Sequence, residues 1–303
     1  MQHSEHATQP SVVILGGSGF VGRHLVAALV HKGYRVSIVS REPDKATRTS
    51  RHVQWLPFKP EHFTELFKGH TVLINLIGLL NEPQHNGKTF EKVHVDLAMQ
   101  ALEAAHAVGI HRYLHMSALG ADEFKGSSYY QQTKGKAENK VHAYGKSHAI
   151  QVTSFRPSVI FGPDDAFLNK FAQLAKFMPG VFPLACAHAK LAPVCVSDVV
   201  KVMVDSIQDP TTYDKRIDLC GPTDYTLGEL VEFAARASGH PRKVIPLPDW
   251  VARLQARVLE YAPGKPFTRD NYNSLKVPNI APSGTPRQPT RLDEVASQYL
   301  RKH

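Results

Sequence analysis

Seven residues near the amino end, Gly16-Gly17-Ser18-Gly19-Phe20-Val21-Gly22, narrow the choice of folds more than any other feature of the chain. They follow a short apolar run of β type, Val12 to Leu15, and lead into an apolar helical pattern from Phe20 to His31. Gly16 permits a tight turn, Gly19 lets backbone approach a pyrophosphate, and Gly22 lets the helix pack closely on the strand. The amino end of the helix then offers N–H groups to an anion, with Ser18, Phe20 and Val21 in the same cradle. Strand, glycine turn and helix in this order predict the opening of a βαβ unit that binds a dinucleotide.

The rest of the first half continues the alternation. Gly33 ends the helix, and Arg35–Ser40 reads as a strand. Further strand-like runs are Thr71–Ile77, His111–Ser117 and Ile150–Phe155, with helical patterns at about 89–108 and 130–144 between them. This predicts an α/β protein: a Rossmann-type doubly wound parallel sheet, covered by helices on both faces. After Arg156-Pro157 the pattern loosens. A helix is expected over 167–177, then a loop with Pro179, Gly180 and Pro183, then short strands near 192–196 and 217–220, each followed by a helix. The expected organisation is an NADP(H)-binding domain over 11–156 and a smaller C-terminal lobe for substrate or partners over 157–280, interleaved with the last sheet strands. A tail over 281–303 completes it; four prolines between Pro278 and Pro289 argue for loop there.

The second strand selects the dinucleotide. A carboxylate at its end would accept from a ribose 2′-hydroxyl and repel a 2′-phosphate. Here the strand ends Val39-Ser40-Arg41, and Lys45, Arg48 and Arg51 follow. Ser40 and Arg41 therefore point to NADP(H) over NAD(H), because a guanidinium forks onto a phosphate.

Composition limits the remaining classes. Lys and Arg outnumber Asp and Glu to give a net charge of +9, which favours anionic partners. Helix-turn-helix and RNA-binding motifs are absent, so nucleic acid is not expected. The three cysteines lie far apart, and the many histidines form no His-Glu-x-x-His, so no disulfide framework and no metal site is expected. No apolar run reaches spanning length, and Met1–Pro10 has neither a secretory nor a mitochondrial pattern. The expected location is cytoplasmic, with a peripheral position at the inner face of a membrane as a variant of it.

Four further stretches share one resemblance. They are Asn75-Leu76-Ile77-Gly78, Tyr130-Gln131-Gln132-Thr133-Lys134, Arg156-Pro157-Ser158-Val159-Ile160-Phe161-Gly162-Pro163, and Pro193-Val194-Cys195-Val196-Ser197-Asp198-Val199. Together with the glycine turn they resemble the extended, NAD-dependent epimerase/dehydratase-like branch of the short-chain dehydrogenase/reductases. Ser127-Ser128-Tyr129-Tyr130 and the run from Phe161 to Phe171 are similar to an atypical subgroup of it. That subgroup holds the NADPH-binding accessory subunit of respiratory complex I and relatives associated with ubiquinone biosynthesis. The resemblance implies a bound NADPH with a structural or redox role, cofactor contacts from Asn75, Leu76, Ile77, Gly78, Pro157, Tyr130 and Lys134, and a catalytic group of Tyr130, Lys134 and a serine. It also implies partners: the dinucleotide, a hydrophobic small molecule such as a quinone, and a respiratory or quinone-synthesis complex.

Residues four apart share a helix face, so Lys134 is expected beside the Tyr130 hydroxyl, lowering its pKa and preparing it as an acid. The serine is the departure. In the strand Tyr113-Leu114-His115-Met116-Ser117-Ala118, the reading puts Ala118 where the family carries its hydroxyl, and a one-residue slip would be needed to bring in Ser117. Other departures are His94 or Asp96 where the family often has Asn, and Pro57-Phe58-Lys59 where an adenine-contacting Asp is usual. The chain thus reads as oxidoreductase-like with a degraded serine position. Three functions stay open: a NADPH-binding protein of respiratory or quinone metabolism; an active reductase, epimerase or dehydratase on a quinone, sugar nucleotide or other carbonyl compound; and a redox-sensing interaction protein. Two lobe features also stay open. Asp249 to Ala262 fits an amphipathic helix that either lies on an anionic membrane or packs in the lobe with its arginines extended. Phe167, Phe171, Leu174, Phe177 and Phe182 either line a pocket or fill the lobe core.

Overall fold

The computed structural model describes residues 10–42 and 52–301. Strand β1 (Ser11–Leu15) is buried along its whole length and enters α1 (Phe20–His31) through the glycine turn. Next come β2 (Arg35–Ser40), β3 (Val53–Pro57), α2 (Phe63–Phe67) and β4 (Val72–Asn75). The helix expected over 89–108 is made of three parts: α3 (Lys88–Phe90), a π turn over Glu91–Asp96, and α4 (Leu97–Ala107). Then follow β5 (Arg112–Met116), α5 (Tyr129–Ser147) and β6 (Gln151–Pro157).

The lobe begins with β7 (Ile160–Phe161), α6 (Leu168–Phe177), β8 (Val181–Leu184), β9 (Lys190–Leu191) and β10 (Val194–Cys195). Helix α7 (Val196–Asp205) and strand β11 (Arg216–Leu219) return to the first domain. The lobe resumes with β12 (Tyr225–Thr226), α8 (Leu227–Ala237), β13 (Lys243–Pro246), α9 (Asp249–Leu259), α10 (Arg269–Ser274) and α11 (Leu292–Leu300).

Seven strands form one sheet in the order β11-β6-β5-β4-β1-β2-β3, all parallel. β1 lies between β2 and β4, so the direction of winding reverses at its carboxyl end, where a crevice opens. Both faces are covered, which is why β1 reads as an unbroken apolar run. Val12 and Ile14 pack with Leu25 and Leu29 of α1 and with Val199 and Met203 of α7. Val13 and Leu15 pack on the opposite face with Leu102 of α4 and Val141 of α5.

The stretch between Pro278 and Pro289 is loop, and the tail beyond it carries α11. Leu292, Ala296 and Leu300, spaced by four, are buried in the lobe core with Leu168, Ala172 and Leu230. Arg287 donates to Asp224 and to the Gly221 carbonyl, tying the preceding loop down. The prolines mark the loop before a docked helix.

Candidate functional site

The glycine turn is shaped by contacts that exclude side chains. Gly16 sits in the left-handed region at φ +82°, and its carbonyl accepts the Gly19 N–H at 3.1 Å. A Cβ on Gly22 would lie 2.4 Å from that carbonyl oxygen and 2.6 Å from Gly17 backbone. The first turn of α1 holds no acidic residue, and Ser18 and Gly19 are exposed while Phe20 and Val21 are partly so. The cradle therefore presents free N–H groups and the positive end of a helix to one point, as a pyrophosphate requires. Arg23 lines its edge, reaching Ser18 O and Asp164 at 3.3 and 3.7 Å. The lobe loop at Gly162 approaches the Phe20 ring.

β2 is the neighbour of this turn. Its register pairs Leu15 with Val39, so Ser40 and Arg41 continue alongside Gly16 and Gly17. Ser40 is buried, and its hydroxyl accepts the Glu42 N–H at 3.2 Å; Arg41 is exposed. Lys45, Arg48 and Arg51 lie outside the described residues. On the other side, Asn75 shapes the turn after β4. Its carbonyl accepts the Ile77 N–H at 3.0 Å and its amide donates to the Tyr113 hydroxyl at 3.1 Å, while Leu76 N–H returns to Leu15 O. Gly16 packs over Leu76 and Ile77. Gly78 lies under Lys134, with the ammonium 3.1 Å from where a Cβ would stand. Pro157 is buried at the end of β6, and its carbonyl accepts the Leu119 N–H at 2.9 Å.

Tyr130 and Lys134 lie one turn apart on α5, whose amino end is capped by Ser128 accepting the Gln131 N–H. Lys134 is buried, and its ammonium donates to Met116 O at 2.9 Å. Burial brings its pKa down to about 8, against the pull of Glu138. For Tyr130 the shift runs in the direction opposite to the expected one. Burial, and then the charge of Asp270, push its hydroxyl up to about 12. Asp270 was not foreseen. It reaches from α10, 140 residues away in sequence, and its buried carboxylate accepts the Tyr129 and Tyr130 N–H groups at 2.7 and 3.3 Å. It caps α5 at the point where the helix's positive end would otherwise favour tyrosinate.

Ser117 stands beside Glu138, two turns of α5 past Tyr130. Its N–H continues the strand ladder to Phe155 O, and its buried hydroxyl stands beside Glu138 without a well-formed hydrogen bond. Glu138 is eight residues past Tyr130 on α5, about 12 Å along the axis. That carboxylate is fully buried and receives Arg156 and Arg216. Burial opposes its ionisation, but bonds from Arg156 and the two guanidinium charges hold its pKa below the usual range. Ala118 is buried and brings no hydroxyl.

Of the two helical alternatives, His94 faces the site and Asp96 is exposed. His94 lies in the π turn. Its Nε2 accepts the Leu79 N–H at 3.0 Å and its Nδ1–H donates to Thr133 Oγ1 at 2.9 Å, since that hydroxyl itself donates to Tyr129 O. Burial and then Lys134 bring its pKa to about 2, so it is a neutral spacer between the β4 turn and α5. A groove of about 460 Å³ runs beside α5 along Gly87, Glu91, Phe124, Tyr129 and Lys136, and another of about 180 Å³ lies between Glu82, His85, Lys265 and Asp270. Neither is lined by the glycine turn.

Among the apolar residues of the lobe, Phe182 is in the core, Phe167 and Phe171 pack against it, and Leu174 and Phe177 are exposed. The helix at 249–259 seats on Ala252 and Ala256 and turns its large apolar residues outward, against the packed alternative. Among the described residues no helix is long and apolar enough to cross a membrane.

Comparison with known proteins agrees with this geometry. The model of the NAD dependent epimerase/dehydratase family matches residues 12–218. The chain is 28% identical to the mouse protein "NADH dehydrogenase [ubiquinone] 1 alpha subcomplex subunit 9, mitochondrial", over 96% of this chain and 79% of that one. It is 32% identical to the ceramide reductase of Caulobacter vibrioides, over 78% and 74%. Among solved structures, UDP-glucuronic acid 4-epimerase from Bacillus cereus, with UDP-glucuronic acid and NAD, superposes with a TM-score of 0.70 at 17% identity, covering 96% of this chain and 99% of that one.

Proposed function

The chain belongs to the NAD dependent epimerase/dehydratase family and is an NAD(P)-binding protein of short-chain dehydrogenase/reductase type; from that premise we propose that it binds NADP(H) and keeps it chiefly in a structural or redox-sensing role, in association with respiratory-chain or quinone metabolism. The observation that carries this reading is the contrast along one sheet edge. The glycine cradle is complete, whereas past β5 the chain has Ala118 and a Ser117 that stands beside Glu138. The likeness to a mitochondrial NADH dehydrogenase subunit over nearly the whole chain supports the metabolic setting.

In this reading the α1 amino end holds the pyrophosphate, Arg41 the 2′-phosphate, and Lys134 with the Gly78 turn the nicotinamide ribose. When bound, the nicotinamide supplies or accepts hydride. Around it, Lys134 donates hydrogen bonds, Tyr130 offers a proton at its hydroxyl, and His94 spaces the β4 turn from α5. A second reading is an active carbonyl reductase. Tyr130 and Lys134 on one helix face favour it, as does the likeness to a ceramide reductase.

The nucleotide assignment is tested by calorimetric titration with NADPH and NADH. NADPH should bind more tightly. Arg41→Asp should narrow or invert the preference by about 10- to 100-fold, the worth of a charged hydrogen-bonded pair. Equal affinities in the parent protein would remove Arg41 from the site.

A further inference from the structure

The twelve large apolar side chains that stand exposed among the described residues are unevenly shared: Leu80, Phe124 and Tyr129 belong to the first domain, and the other nine to the lobe. Helix α9 and the segment just after it carry four of the nine. Trp250, Leu254, Val258 and Tyr261 are 70%, 54%, 59% and 80% exposed. They recur every third or fourth residue and form one stripe, opposite the buried Ala252 and Ala256 that seat the helix. β8 and β13 end beside this helix, since Ala185 and Leu247, which follow them, pack with Ala252 and Ala256. The two strands pair in parallel with Val181 against Lys243 and Pro183 against Ile245, and these four residues are exposed while Phe182 and Leu184 point inward. Phe177, at the end of α6, is 79% exposed.

We propose that this face, the α9 stripe with the β8–β13 ribbon, seats the protein on the headgroup region of an anionic lipid bilayer. Three observations select lipid. Trp250 and Tyr261 stand at the two ends of the stripe with Leu254 and Val258 between them, and ring side chains with one polar atom are suited to the wet boundary of a bilayer. Lys176, Lys243 and Arg257 are exposed cations within this surface, and none has an ion-pair partner among the described residues. The one acid on α9, Asp249, is matched by Arg253. The charge left over is positive, which complements an anionic leaflet. A second copy is the poorer occupant, since a two-fold contact sets each patch against itself and would bring these cations together. The assignment is independent of the bound nucleotide.

Trp250 is one of two tryptophans, the other being Trp55 on β3, so it reports directly. The full-length protein is mixed with vesicles of phosphatidylcholine alone and of phosphatidylcholine with phosphatidylglycerol, and co-sedimentation and tryptophan emission are recorded, with Trp250→Phe as the blank for Trp55. Binding and a blue shift of Trp250 are expected on the anionic vesicles, weakening with salt. Arg257→Ala should weaken binding about five-fold, the worth of one interfacial cation. Leu254→Ser with Val258→Ser should abolish it while circular dichroism stays that of the parent. An unshifted Trp250, or a double variant that binds as the parent does, overturns the proposal. So does a dimer that the double variant dissociates in the absence of vesicle binding, which would give the face to a second copy.

Discussion

The two ends of the sheet's carboxyl edge are built on different principles. At β1 the chain presents backbone: N–H groups of α1 and a turn in which a Cβ on Gly22 would lie 2.4 to 2.6 Å from the Gly16 carbonyl oxygen and Gly17 backbone. At β5 and α5 it presents side chains, and each already has an occupation. Lys134 holds Met116 O, His94 bridges Leu79 and Thr133, Ser117 stands at Glu138, and the Tyr129 and Tyr130 N–H groups are taken by Asp270. Backbone recognition survives as long as the turn folds. Side-chain catalysis can be lost one substitution at a time, and in the proposed function Ala118 stands at such a position. The comparison teaches that a dinucleotide site and a reaction centre on one fold are separable.

Gly22→Ala attacks the backbone end and should have the largest effect. The new methyl meets the Gly16 carbonyl and Gly17 backbone, which have nowhere to move. Stability should fall by about 1–3 kcal/mol, and NADPH binding should vanish in calorimetry. Unchanged binding would mean that the pyrophosphate sits elsewhere.

The link between the two ends is Lys134. Its pKa, near 8, lies below its ordinary value because of burial. The unfolded chain therefore holds more protons than the free protein between about pH 8 and the ordinary lysine value. Stability of the nucleotide-free protein should gain from this group as pH rises through that window. Nucleotide that needs the ammonium should do the opposite, losing up to about tenfold in affinity per pH unit above 8. Lys134→Met should flatten the affinity profile, and a parent profile that is already flat would take Lys134 out of the site.

Tyr130→Phe sharpens the contrast from the other side. NADPH affinity should change less than about twofold, because Lys134 and the glycine turn would still hold the nucleotide. Should a quinone or simple carbonyl prove to be reduced, the same change should cost about 10²–10⁴-fold in rate, and Ala118→Ser should raise the rate. A phenylalanine variant as fast as the parent would exclude Tyr130 as the acid.

Asp270→Asn is the mildest probe. The amide oxygen can still accept the Tyr129 N–H, but the charge is gone. The Tyr130 hydroxyl should titrate at lower pH, followed by NMR of ring-labelled tyrosine. No movement would show that burial alone sets its protonation.

The first of these two ends was legible in the sequence because it is local. Strand, glycine turn and helix lie within residues 11–31, and the apolar run of β1 is what burial on both faces requires. The second end depends on residues brought together from afar. Asp270 gives no local sign of capping α5, since capping is read from neighbours in sequence and its partners are at 129 and 130. His94 could be placed only once the π turn had set which side of the helix faces Leu79. The α9 periodicity was plain, but a stripe does not say whether it faces inward. The small residues Ala252 and Ala256 were the overlooked sign, because a helix seated on alanine leaves its large residues outside. The prolines before α11 concealed a buried Leu292, Ala296, Leu300 face.

The central claim, that the cradle holds NADP(H) while the centre beside it is quiet, meets its most direct test in the nucleotide the protein carries. The purified chain is passed through gel filtration, denatured, and the released small molecules are identified by mass spectrometry. The account predicts NADP(H) close to one per chain, still present and unchanged after incubation with quinones and carbonyl compounds. Release of NAD(H) alone, of no dinucleotide from a protein that also fails to take up NADPH, or complete oxidation of the bound NADPH by such a compound would contradict it.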